Sequence, residues 1–213
     1  MNPHLDQPVL TAGAPLEGCR AAALLVHGRG RDPAEMIALA EGFGVPGVAY
    51  LVPAAAERTW YPYSFLEPLG RNQPLLDYAL EAYLARVAAL HAAGVPLRKI
   101  VLMGFSQGAC LTVEYAARHA GRYGGVVAFT GGLIGPQGTV WERCGDFGGA
   151  PVLIGGAERD AWVPAWRMGE SAEHFRQMGA QVSTLFYAGD SHVVSDDEIA
   201  AARAILRAAA EAA

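Results

Sequence analysis

A serine flanked by small residues, in Gly104-Phe105-Ser106-Gln107-Gly108, is the pattern in this chain best suited to nucleophilic chemistry. It directly follows the strand-like run Lys99-Ile100-Val101-Leu102-Met103 and directly precedes a helix-forming run, Ala109 to Arg118. Glycines at 104 and 108 permit a sharp strand-to-helix turn, which would lift the hydroxyl above a sheet with a helix N-terminus behind it. A serine hydroxyl is a weak nucleophile at neutral pH, so a base must accept its proton and a third group must orient that base. Of the six histidines, His4 lies in the N-terminal tail, His27 precedes the serine, and His91, His119 and His174 fall within helical stretches. His192 alone follows the last strand-like run, in the turn Gly189-Asp190-Ser191-His192. Asp160 follows the strand Val152 to Ile154 and its loop Gly155 to Arg159, and is the expected acid. Asp190 is the rival; Asp146 precedes the same strand and belongs at the opposite edge of the sheet. The bland alternatives are a glycine-rich turn with a capping serine, and solvated loop residues.

Attack on a carbonyl also requires donors for the oxyanion that forms. The backbone N–H of Gln107, just after the nucleophile, supplies one. The other belongs to an early loop after a strand, where His27-Gly28-Arg29-Gly30 follows Leu24-Leu25-Val26. The glycines of this loop lack both the GxGxxG spacing of a dinucleotide site and the lysine of a P-loop.

Elements able to position these residues recur along the chain. Apolar runs at Ala21 to Val26, Val48 to Val52, Ile100 to Phe105, Val126 to Phe129, Val152 to Ile154 and Val182 to Tyr187 suit strands buried on both faces. Between them, helices are predicted at Pro33 to Glu41, Pro74 to Ala93, Gln107 to His119, Pro164 to Met178 and Asp196 to Ala210. In the second of these, Leu76, Leu80, Tyr83, Val87 and Leu90 repeat at helical spacing, and Gly94 and Pro96 end it. Strand and helix alternate, so the fold class is α/β: a mostly parallel sheet with helices on both faces, in one domain spanning residues 1–213. Val9 and Leu10 suggest an antiparallel edge hairpin. The segment Gly131 to Gly149, with seven glycines in nineteen residues, reads as a surface loop and is too short for a cap domain.

Composition agrees with a large interior, for 52% of residues are hydrophobic and 17% charged. A chain of this length buries roughly 70% of the surface it exposes when unfolded. With a formal net charge of −5 and scattered basic residues, nothing points to a nucleic-acid partner or an anionic membrane. No apolar run approaches the ~18 residues of a membrane span, and the N-terminal residues do not resemble a secretory signal, so the expectation is a cytoplasmic protein. Cys19, Cys110 and Cys144 are too few and too scattered for a disulfide framework or a zinc site. Neither a metal nor an organic cofactor is expected.

The chain resembles the phospholipase/carboxylesterase family of α/β-hydrolases, which includes bacterial carboxylesterases and acyl-protein thioesterases. The resemblance rests on Leu25-Val26-His27-Gly28-Arg29-Gly30, Gly104-Phe105-Ser106-Gln107-Gly108-Ala109, Arg159-Asp160-Ala161-Trp162-Val163-Pro164 and Gly189-Asp190-Ser191-His192. It implies an α/β-hydrolase fold without a cap domain, and hydrolysis of small esters or thioesters through an acyl-enzyme. It also implies Ser106 as nucleophile, Asp160 as orienting acid, His192 as base, and the backbone amides of Arg29 and Gln107 as oxyanion hole. Trp60-Tyr61-Pro62-Tyr63-Ser64-Phe65 falls where such enzymes carry a substrate-facing loop, so Trp60, Tyr61 and Phe65, with Trp162, are candidate substrate-binding residues; core packing is the competing account. The family commonly carries an apolar residue where Arg29 stands, with Arg31 two positions on. A cation there favours a carboxylate- or phosphate-bearing substrate, unless the side chain faces solvent or pairs with a surface acid. A homodimer is left open. Competing functions are lactone opening, cofactor-free perhydrolysis and non-catalytic ligand binding.

Overall fold

Runs of apolar residues become the strands, and the amphipathic stretches between them become the helices. The computed structural model describes residues 1–212. Along the chain come β1 (Val9–Gly13), β2 (Ala21–Val26), α1 (Pro33–Phe43), β3 (Val48–Pro53), α2 (Leu69–Asn72), α3 (Leu75–Ala92) and β4 (Ile100–Phe105). Then follow α4 (Gln107–Arg118), β5 (Gly125–Phe129), β6 (Pro151–Ala157), α5 (Ala165–Gln177), β7 (Gln181–Tyr187) and α6 (Asp196–Glu211). The strands form one sheet in the order β1-β3-β2-β4-β5-β6-β7. Every neighbouring pair is parallel except β1 with β3.

Alternation along each strand splits the interior into two layers. In β2, Ala22, Leu24 and Val26 join the core beneath α3, α4 and α5, whereas Ala21, Ala23 and Leu25 join the core beneath α1 and α6. Both faces are covered, which explains why β2, β3, β4 and β5 are buried at every position and read as continuous apolar runs. Burying each Leu, Val or Phe side chain contributes about 1.5–3 kcal/mol. On α3, Leu76, Leu80, Tyr83, Val87 and Leu90 are all buried, as their spacing requires. Two helices begin with reciprocal capping boxes, Asp32 with Glu35 on α1 and Ser195 with Glu198 on α6. Among the described residues there is no separate cap domain.

Three expectations change. The N-terminal apolar residues do not make a hairpin: β1 is a lone edge strand that pairs with β3 from Val9↔Pro53 to Gly13↔Ala49. Strand β6 runs three residues past the expected Ile154, through Gly155 and Gly156 to Ala157, in register with Leu185, Phe186 and Tyr187 of β7. A Cβ at 155 would lie 2.4 Å from Glu198 Oε1, so glycine there leaves room for the buried Glu198 side chain against the strand. Residues 131–149 are not simply a surface loop, since Leu133, Ile134 and Phe147 are at most 1% exposed. Arg167 on α5 holds the first part of the segment, its guanidinium donating to the carbonyls of Leu133, Gly135 and Pro136, and Phe147 packs against Tyr123 and Phe175.

Candidate active site

Strand β4 delivers Ser106 to the C-terminal edge of the sheet, and the chain turns there directly into α4. The turn is so tight that Ser106 adopts φ 55°, ψ −120°, a conformation that costs a residue with a side chain of order 1–3 kcal/mol. Close contacts explain the flanking glycines. A Cβ at Gly104 would lie 2.4 Å from Gly108 O, and one at Gly108 would lie 2.2 Å from Val26 O. The turn is fastened by Ser106 N–H donating to Phe129 O at 2.9 Å and by Cys110 N–H donating to Ser106 O at 2.9 Å.

Strands β6 and β7, which follow β4 and β5 in the sheet, end at the same C-terminal edge and lead into the two partners. Asp160, in the loop after β6, accepts from the backbone N–H groups of Trp162 and Val163 through Oδ1, both at 2.8 Å. Its Oδ2 lies 2.6 Å from His192 Nδ1. On the other side of the ring, Nε2 lies 2.7 Å from Ser106 Oγ. With Nδ1–H donated to the carboxylate, Nε2 is free to accept the serine proton. The Asp160 side chain is fully buried and that of His192 is 24% exposed, so the acid is shielded while the ring reaches the cleft. Phe105 packs against the imidazole at 5.1 Å between ring centres. The rival acids sit elsewhere: Asp146 accepts from Gly148 N–H in the loop before β6, and Asp190 is exposed.

The early loop closes over the same point. A Cβ on Gly28 would come within 3.2 Å of Ser106 Cβ, so the 28–31 turn rests against Ser106. Within it, Arg31 N–H donates to Gly28 O and Gly30 N–H to Arg58 O. Gln107 opens α4, where the first turn's N–H groups have no partner within the helix.

A cavity of about 400 Å³ adjoins the serine, and Tyr61, Phe65, Phe105, Cys110, Trp162 and Val163 contribute to its walls. Tyr61 and Phe65 are buried, whereas Trp162 is 72% exposed at the rim. Burial pushes the Cys110 thiol up to about 12, which keeps it protonated and unreactive. Trp60 must be reassigned. It does not line the cavity; its indole is 2% exposed, lies 5.3 Å from the His4 ring and 5.2 Å from the His27 ring, and donates Nε1–H to His27 O. Trp60 therefore sits in the core behind the wall that Tyr61 helps to build.

Residues that spacing does not reveal hold this wall. Gln107 accepts from Trp60 N–H through Oε1 at 3.0 Å and donates to Tyr61 O through Nε2 at 2.7 Å. Asn72 bridges Tyr63 N–H and Ser64 O, and Gly135 N–H donates to Phe65 O. His4, expected in a loose tail, is 1% exposed and contacts Trp60 O and Ala56 N–H. His27 accepts from Ala55 N–H. Desolvation lowers the pKa of both imidazoles, so each is held neutral. No cluster of three His, Cys, Asp or Glu among the described residues could hold a metal ion. No described helix is long and apolar enough to cross a membrane.

Residues 14–210 match the family model described as phospholipase/carboxylesterase. A solved phospholipase/carboxylesterase from Dyadobacter fermentans DSM 18053 is 41% identical, with a TM-score of 0.91 over 97% of this chain and 99% of that one. Esterase PE8 is 21% identical, with a TM-score of 0.75 over 94% of this chain and 97% of its own. YahD, solved with malic acid, is 19% identical, with a TM-score of 0.74 over 94% and 98%. At those identities the last two speak for the fold alone. No curated protein sequence matches the chain.

Proposed function

The chain belongs to the phospholipase/carboxylesterase family and is a carboxylic ester hydrolase; from that premise we propose that it works as a serine hydrolase on small esters or thioesters, through Ser106, His192 and Asp160. The observation that carries this reading is the continuous set of contacts from Asp160 Oδ2 to His192 Nδ1 at 2.6 Å and from His192 Nε2 to Ser106 Oγ at 2.7 Å. In the first half-reaction Ser106 Oγ bonds to the substrate carbonyl carbon as its proton passes to His192 Nε2. Asp160 orients the ring and stabilises the imidazolium. The negative oxygen of the tetrahedral intermediate is held by the backbone N–H groups of Gln107 and Arg29, each such donor being worth ~10²–10³ in turnover. His192 then returns the proton to the departing alcohol or thiol, leaving Ser106 acylated. In the second half-reaction water gives its proton to His192 and attacks the acyl carbon, which releases the acid and restores the serine.

Tyr61, Phe65 and Trp162 are the substrate-binding residues in this reading, supported by their positions on the cavity. The free thiols of Cys19, Cys110 and Cys144 support work in a reducing compartment, the cytoplasm. The test is covalent labelling by a fluorophosphonate together with short-chain ester turnover. Wild type is expected to label and turn over, and Ser106→Ala to do neither while keeping its circular dichroism. Wild-type turnover in folded Ser106→Ala would remove Ser106 from the mechanism.

A further inference from the structure

Charge of a single sign lines the cleft. Arg29 and Arg31 both border it, and no described Asp or Glu does, although the chain as a whole carries a formal charge of −5. Both arginines leave the backbone beside the nucleophile, since a Cβ on Gly28 would lie 3.2 Å from Ser106 Cβ and 3.4 Å from Arg31 Cγ.

The two cations are not equivalent. Arg31 is compensated: its Nη2 lies 2.5 Å from Glu35 Oε2. Arg29 has no carboxylate partner among the described residues; its Nη1 and Nη2 donate to the backbone carbonyls of Pro62 and Tyr63. Its guanidinium also lies 5.9 Å from the centre of the Tyr61 ring. Neutral acceptors fix where the group sits without cancelling its charge. A guanidinium has five N–H donors, so about three remain for a ligand after the two carbonyls are served.

An exposed cation held at the mouth of the cleft, 5.9 Å from the Tyr61 ring and without a carboxylate partner among the described residues, favours an anionic substrate by attracting it to the opening. The planar fork fits a carboxylate in two-point contact. With Arg31 paired to Glu35, Arg29 is the one cation lining the cleft that has no carboxylate partner among the described residues, which matches a singly charged carboxylate better than a doubly charged phosphate. We infer that Arg29 makes the cleft selective for esters that carry a carboxylate, the guanidinium holding that group while the ester carbonyl sits at Ser106. The inference rests on the serine-hydrolase reading above and adds to it the charge of the substrate.

The experiment compares ester pairs that differ in charge. Methyl valerate and monomethyl glutarate place the carboxylate on the acyl side; phenyl acetate and 4-acetoxybenzoate place it on the alcohol side. Each pair is read as the ratio of kcat/KM, anionic over neutral, in wild type, Arg29→Lys and Arg29→Gln. Loss of the bonds to residues 62 and 63 loosens the wall and slows both members of a pair, so the ratio isolates charge. In at least one pair the ratio is expected to fall about tenfold in Arg29→Gln, the scale of one charge-assisted contact at a half-open site, and to fall less in Arg29→Lys. In wild type the same ratio should decline as salt is raised, and in Arg29→Gln it should not. Ratios that are equal across all three proteins in both pairs would overturn the inference while leaving neutral-ester hydrolysis, and the serine-hydrolase reading, in place. A folded wild type that hydrolyses no ester and takes no fluorophosphonate label would overturn both.

Discussion

The buried carboxylate of Asp160 spends one oxygen on two backbone amides and the other on His192, so its part in the proposed mechanism is to hold the imidazole in one tautomer. Asp160→Asn preserves the shape but presents an amide where an acceptor is needed. In that variant kcat should fall about 10³–10⁴-fold, with the thermal midpoint changing far less, as steady-state kinetics beside calorimetry would reveal. Neutral His4 and His27 govern a different pH response. Burial lowers both imidazoles below the ordinary histidine value of about 6.5, so the unfolded chain takes up protons first as the solution is acidified. Their contribution to stability is therefore complete above about pH 6.5 and declines as pH falls below it. Thermal midpoints measured from about pH 7.5 to 5 should drop in wild type, and His27→Gln should have a lower midpoint at neutral pH but a shallower slope. Ser106, Asp160 and His192 are legible in the sequence because each stands at a defined place after a strand. Nothing in spacing marks His4 or His27, whose bonds reach 52 and 28 residues along the chain. Trp60 misleads for the related reason that an aromatic run shows which residues are large but not which of them faces the cleft.

Helix α5 contributes its most consequential side chain away from the nucleophile. Arg167 is 0% exposed, with its guanidinium 4.9 Å from the Trp141 ring centre and 4.8 Å from that of Trp166. It serves three carbonyls of residues 133–136 and pairs with Glu170 at 3.1 Å. Arg167→Ala strands those carbonyls, and a loss of about 3–5 kcal/mol is expected in denaturant titration. Because Gly135 N–H holds Phe65 O, the same variant should raise KM for short esters more than it lowers kcat. Strand and helix identities are readable from the continuous apolar runs of β2 and β4 and from the helical spacing of α3, whose apolar residues follow their burial. The buried part of residues 131–149 is not, since composition rich in glycine signals a loop whether or not an arginine from another helix draws it inward.

At the scale of the molecule, the reactive groups occupy one end of the sheet and the helix-bearing layers beneath them supply rigidity. Leu90, 0% exposed near the end of α3, packs in the core and is not among the residues that line the cleft. Leu90→Ala should cost about 2–5 kcal/mol of stability yet leave kcat/KM at 25 °C within about twofold, because distant sites act independently. A matching fall in both quantities would mean that core and cleft are coupled. The parallel sheet follows from alternation of element types; the order of its strands and the partner of β1 are set by contacts no local pattern encodes. Gln107 has a wider bearing on how such an enzyme can change over generations. Its amide side chain grips Trp60 and Tyr61 while its own backbone adjoins Ser106, so under the proposed mechanism a substitution that reshapes the aromatic wall to admit a new acyl group also tugs on the site of bond breaking. On that mechanism selectivity and speed are coupled through one residue, and lineages that broaden their diet are expected to do so at the expense of pace unless position 107 changes as well.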